Sequence, residues 1–489
     1  MKLSYLITST LLIAFLFLSC NKTKNDNQET DIDGVYQSVG YGRILKIIDG
    51  EFLLADVTSL SCMPLMDGKI SDFNENISYA NDTITLKDGI NIYLFSRTID
   101  APQVCKKGTP AYIEAQNNIN NPERNFEILW ENFKDHYAYF ELRNVNPDTM
   151  YATYRPKVTA ETTDAELFFI LTEMLDSFDD GHISISAPDE IEEAAEKLVE
   201  LNVVDSTISK ETNDTQNVEK LNNFKVAEMV ANKYIPYGIT KNAGILRYGT
   251  LKENIGYLQI NLMMGLADYG ISDTLSLRDY FDHYFEFVEE SDNDTKDELI
   301  GLNKTLDAVM GSFAATEALI IDVRFNGGGK DEVGMDVLKR LNSEEKIVFT
   351  KKGKFGNGFT PINTVTQPAS NNAYSKPVYL LISTESASAT EIMTLSSLSM
   401  PNITRIGSTT EGVFSDVLDK ELPNGWDFGL SSEVYLDMNG VNYESKGIPA
   451  DIKITYSSDK QEFLKKVISD LDANKDASIE TAISMVINK

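Results

Sequence analysis

The chain has 489 residues, enough for two or three domains and a sizeable core. Its formal net charge of -31 speaks against a nucleic-acid partner, because phosphate binding runs on Lys and Arg. Composition is otherwise that of a globular protein, with three histidines and three cysteines. No cofactor and no metal is expected.

In chain order, Met1-Lys2 leads an apolar run from Leu6 to Leu18, and Phe17-Leu18-Ser19-Cys20 closes it. A short apolar stretch followed by a small residue and a cysteine resembles a bacterial lipoprotein signal. That resemblance implies a signal peptide over 1–20, a lipidated Cys20, and a location in the cell envelope, with the membrane reached through the lipid alone. Residues 21–32 are polar and read as a tether. Residues 33–104 read as a small β-barrel or sandwich: short apolar runs such as Arg43–Ile48 and Glu51–Ala55 are separated by Asp49-Gly50 and Asp88-Gly89 turns. Export would expose Cys62 and Cys105 to an oxidising compartment, so a disulfide between them is expected, two free buried thiols being the alternative.

From 120 to 186 the period becomes helical. Phe126, Leu129, Trp130 and Phe133 share one face, and Leu167, Ile170, Leu171, Met174 and Leu175 share another. The second helix runs out at Asp179-Asp-Gly-His182. Residues 187–250 read as a charged helical insertion. Strands and helices then alternate through 251–470, which predicts an α/β core within an α+β chain. Residues 471–489 read as a C-terminal tail. Within it Asp472–Asp476 imitates the start of a calcium loop, but Ala477 and Ile483 replace the required glycine and acid, so a polar turn is predicted.

Two turns carry the chemistry. Asp322-Val-Arg-Phe-Asn-Gly-Gly-Gly329 follows the apolar run 318–321, and glycines there let backbone N–H groups approach a ligand. Ser386-Ala-Ser-Ala-Thr-Glu391 follows Val378–Ile382 and opens a helix. A serine at a strand-to-helix turn suits acyl transfer, with Ser388, flanked by two alanines, as the nucleophile candidate; helix capping is the structural alternative. Among the histidines, His136 and His283 sit on helix faces among aromatics, whereas His182 sits in a turn able to face a cleft.

Together these segments resemble the carboxy-terminal processing (tail-specific) serine protease family, over roughly residues 120–470. Asp179–His182, Gly256–Ile260 and Asn442–Asp451 match the same pattern in order. The resemblance implies a Clp-protease/crotonase-like core with a helical subdomain, and an endopeptidase acting on a polypeptide substrate. No peptide-binding PDZ segment is recognised. One branch of the family uses a lysine base, but its position carries Val413 in Thr410-Glu-Gly-Val413. The other, tricorn-like branch uses a histidine supported by a late glutamate. That implies catalysis by Ser388, His182 and Glu444, with an oxyanion hole from Ala389 N–H and that of Gly328 or Gly329. Glu433 is the runner-up for the glutamate, and Lys446 is discounted as a base in a solvated turn. Gly181 stands where tricorn has a serine, so the network around the histidine should differ. Retinoid-binding proteins share a similar core, so a catalytically silent binding module is the alternative.

Overall fold

The computed structural model describes residues 32–206, 221–291 and 293–488, so the apolar leader, Cys20 and the centre of the charged insertion lie outside the described residues. An antiparallel sheet of seven strands comes first, with Gly34–Ser38 between Arg43–Ile48 and Asn91–Thr98. Alternation builds it: Tyr36, Ile47, Ile84 and Phe95 turn inward and are buried. Asp49 and Gly50 adopt φ of 52° and 78°, and their two-residue turn pairs Ile48 with Glu51. Cys62 on the edge strand Cys62–Lys69 is disulfide-bonded to Cys105, with Cα atoms 5.2 Å apart.

The helices Pro122–His136 and Asp164–Asp176 pack their apolar faces together and against Leu418, Trp426 and Phe428. Thr163 caps the second helix through a capping box with Glu166. That helix ends just before the Asp179–His182 turn, and the strand Ser184–Ser186 then pairs with Asp427–Ser431.

A second seven-stranded sheet forms the core. Ile255–Ile260, Ala318–Asp322, Val378–Ile382, Ile403–Gly407 and Ile452–Lys453 run parallel, each pairing with the next. Their near-continuous burial fits a sheet covered on both faces. Part of the segment read as an insertion belongs to this core. Leu246–Thr250 and Ile239–Lys241 extend the sheet antiparallel, and the helix Asn223–Tyr234 buries Val226, Ala227 and Val230. Its charged face hid four apolar residues at helical spacing. The tail behaves likewise: Asp476 caps the helix Ala477–Ile487, whose Ile479, Ala482 and Ile483 pack beside Phe463 and Phe325.

The β domain is fastened to the core by buried polar contacts. Tyr41 Oη donates to Glu433 Oε1 at 2.5 Å, Lys420 Nζ donates to the Tyr41 carbonyl at 2.7 Å, and Lys420 also pairs with Asp56.

Candidate active site

The strands Ala318–Asp322 and Val378–Ile382 are parallel neighbours, so the turns that leave their carboxyl ends lie side by side. Three hydrogen bonds stitch them. Ser386 Oγ donates to the Val323 carbonyl at 2.8 Å, Ser383 Oγ to the Arg324 carbonyl at 2.6 Å, and Ala387 N–H to the Asn326 carbonyl at 3.2 Å. Ser386 is therefore spent on structure. Ser388 is half-buried, stands directly before the helix Ala389–Ser397, and has φ 53° and ψ -125°. A serine rarely adopts that backbone, so the position is strained.

Gly328 faces it. A Cβ built on Gly328 would lie 2.7 Å from Ser388 Cβ and 3.2 Å from its Oγ, and Gly328 has φ 117°. Only glycine fits there. Gly328 N–H donates to Asn326 Oδ1 at 2.9 Å, so this donor is occupied. The N–H groups of Gly329 and Ala389 have no protein acceptor among the described residues. Gly329, at φ 134°, would drive a Cβ to within 2.6 Å of the Met263 backbone. Below the turn, the buried Arg324 guanidinium binds Asp322 at 2.7 Å and Asp476 at 2.9 Å. The calcium-loop imitation thus supplies a salt-bridge partner and a helix cap.

The segment 410–416 joins this turn to the remaining candidates. Glu391, in the first turn of the Ser388 helix, accepts Gly412 N–H at 2.9 Å and Val413 N–H at 2.6 Å, and Glu411 N–H donates to the Ser386 carbonyl at 3.1 Å. On its other side the segment meets the histidine turn, where a Cβ on Gly181 would lie 3.2 Å from Val413 Cγ1. Glu444 reaches the same segment: its Oε2 accepts Phe414 N–H at 2.8 Å, and its Oε1 pairs with Arg143 at 3.2 Å. Residues 410–416 thus meet the histidine turn and Glu444 directly, and the Ser388 turn through Glu391 and Ser386. No direct hydrogen bond joins any two of Ser388, His182 and Glu444 among the described residues. A cavity of about 610 Å³ opens beside this junction, lined by Arg143, Asp180, Gly181, Ile183, Glu411 and Val413 among others.

Residues 254–454 match peptidase family S41, and residues 120–176 match the tricorn protease C1 domain. Residues 254–454 thus carry a peptidase family S41 domain. A Parabacteroides merdae protein assigned as a peptidase is similar at 23% identity, with 75% of this chain and 96% of that one covered and a TM-score of 0.52. A Streptococcus agalactiae lipoprotein aligns at 17% identity over 72% and 97% of the two chains, TM-score 0.42. The tricorn protease aligns at 14% identity over 91% of this chain and 43% of that one, TM-score 0.41. No curated protein matches.

Electrostatics of the candidate site follow from its burial. Desolvation pushes the Glu391 carboxyl up to about 8 and the Glu444 carboxyl up to about 7, where Asp180 adds repulsion and Arg143 opposes it. Burial moves the His182 imidazole down, and the Asp180, Asp416 and Glu411 carboxylates pull it back up. Glu433, the other glutamate weighed from sequence, instead binds Lys351 Nζ at 2.5 Å and Tyr41, in the interface with the β domain. Sequence reading missed Glu391, Arg143 and Asp180. Glu391 had a legible signal, an acid in the first turn of the nucleophile's helix; Arg143 lies in a loop 301 residues from its partner Glu444 and had none.

Proposed function

We propose that this S41 peptidase is an endopeptidase in which Ser388 is the nucleophile and His182 the base. The observation that carries the reading is Ser388 itself: a strained serine at a helix start, with a glycine turn pressed against its side chain. Ser388 Oγ attacks the peptide carbonyl carbon as His182 accepts its proton; the imidazolium then protonates the amine as the C–N bond breaks, the amine departs, and the ester left on Ser388 is hydrolysed by water through the reverse transfers. Developing negative charge on the carbonyl oxygen is met by Ala389 N–H and Gly329 N–H; one such donor contributes about 2.7–4 kcal/mol to transition-state binding. Gly328 supplies the close approach rather than a donor, since its own N–H is engaged. Glu444 acts by holding the Phe414 N–H, next to Ser415, whose backbone favours the His182 cation. A valine at 413, touching the histidine turn, leaves no lysine base in that place.

We further propose that the peptidase is lipid-anchored through Cys20 in the bacterial cell envelope. Cys20→Ala is expected to move the protein from the membrane to the soluble fraction; an unchanged distribution rejects the anchor. A fluorophosphonate probe tests the catalytic reading. Labelling is expected on Ser388 of the folded chain and lost in Ser388→Ala. No labelling of folded wild type would make this a silent binding module instead.

A further inference from the structure

Three carboxylates, Asp180, Asp416 and Glu411, act electrostatically on His182, and a fourth, Glu444, is repelled by Asp180. Of the four, three are committed elsewhere. Asp416 binds Lys351 Nζ at 2.7 Å and Tyr435 Oη at 2.5 Å. Glu411 pairs at 2.8 Å with Lys460 and is partly exposed. Glu444 holds Arg143 and the Phe414 N–H. Asp180 alone turns its hydrogen bonds back on the histidine's own turn. Its side chain is fully buried, and Oδ1 accepts the His182 backbone N–H at 3.0 Å. Two clamps from other elements fix that carboxylate. Ser431 Oγ donates to Oδ1 at 2.9 Å, and Tyr137 Oη donates to Oδ2 at 2.8 Å. The nearest cation, Arg143 Nε, stands 4.0 Å away and serves Glu444 more closely.

Resting on the Ser388–His182 reading, we propose that Asp180 is the positioning residue for His182. Held by Tyr137 and Ser431, it fixes the Asp180–His182 turn and sets a buried negative charge beside the imidazolium that forms when Ser388 gives up its proton. Such a charge favours the cation while the ring is out of water. Glu444 then serves mainly to order the 414–415 backbone and Arg143. The division of labour differs from one in which the late glutamate alone supports the base, and it follows from the contacts each carboxylate makes.

The test compares full-length wild type with Asp180→Asn, Glu444→Gln and His182→Ala, reading the second-order rate of fluorophosphonate labelling across pH 4–9. Wild type should lose labelling on an acid limb as His182 protonates. Asp180→Asn should lower the plateau about tenfold or more and move that limb down by about half a pH unit or more, because a lost anion makes the imidazolium easier to deprotonate. Glu444→Gln should lower the plateau with a smaller movement of the limb. An Asp180→Asn limb that stays in place, with His182→Ala silent, overturns the role of Asp180 and leaves the Ser–His reading standing. Labelling that survives His182→Ala overturns both. Should Asp180→Asn not fold, Ser431→Ala removes one clamp and keeps the charge. It should slow labelling several-fold with the limb in place, and an unchanged rate overturns the proposal.

Discussion

At the scale of single residues, the site depends on absences as much as on groups. Gly328→Ala would place a methyl carbon 2.7 Å from Ser388 Cβ at a φ of 117°. The predicted outcome is loss of fluorophosphonate labelling by at least about tenfold, with a stability loss of about 1–3 kcal/mol in denaturant unfolding. Val413→Ala trims a buried side chain that carries no proton-transfer group, and labelling should stay near wild type. Glu391→Ala leaves two buried N–H donors, those of Gly412 and Val413, without their acceptor. It should cost about 2–4 kcal/mol and slow labelling, since residues 410–413 would lose their tie to the nucleophile's helix. Calorimetry and labelling on the same samples separate the two effects. The Ser388 turn and the glycine turn were legible because their chemistry is local: glycines, a hydroxyl between alanines, a strand ending before each. Asp180 was visible only as part of a motif. Its clamps come from Tyr137 and Ser431, 43 and 251 residues away, and no local pattern carries such a pairing.

At the scale of elements, hydrophobic period marked the two core strands that carry the site's turns. Val378–Ile382 and Ala318–Asp322 were short apolar runs bounded by turn residues, and buried parallel strands look like that. The helix Asn223–Tyr234 was submerged in a charged stretch because its exposed side dominates its composition. Four buried residues, Val226, Ala227, Val230 and Ala231, nonetheless pack it on the sheet. Val230→Asp should therefore destabilise the whole core, by about 3 kcal/mol or more, because it buries an unpaired carboxylate. A thermal midpoint near wild type would mean that this helix is dispensable to the sheet. The β-hairpin between Lys346–Phe355 and Asn363–Gln367 had no clear signal, because Lys351 and Lys352 interrupt its alternation. Lys351 is buried by its salt bridges with Asp416 and Glu433, a pairing made only in three dimensions.

At the scale of the molecule, the β domain and the peptidase core share buried charge. Removing residues 33–104 would strip Lys420 of Asp56 and the Tyr41 carbonyl, and Glu433 of the Tyr41 hydroxyl. A buried charge left without its partner costs about 3–5 kcal/mol, so the truncated chain is expected to lose folding cooperativity rather than release an active core. The disulfide constrains the same domain. It closes a loop across a sequence separation of 43, and replacing both cysteines with serine should cost about 4 kcal/mol by the chain-entropy account while leaving labelling of folded protein unchanged. The most direct measurement is labelling of the full-length chain with a fluorophosphonate, followed by mass-spectrometric mapping of the modified residue, on wild type, Ser388→Ala and His182→Ala. Modification of Ser388 alone, absent from both variants, is the predicted result. A folded wild type that takes no label, or a His182→Ala chain that labels as fast as wild type, would contradict it.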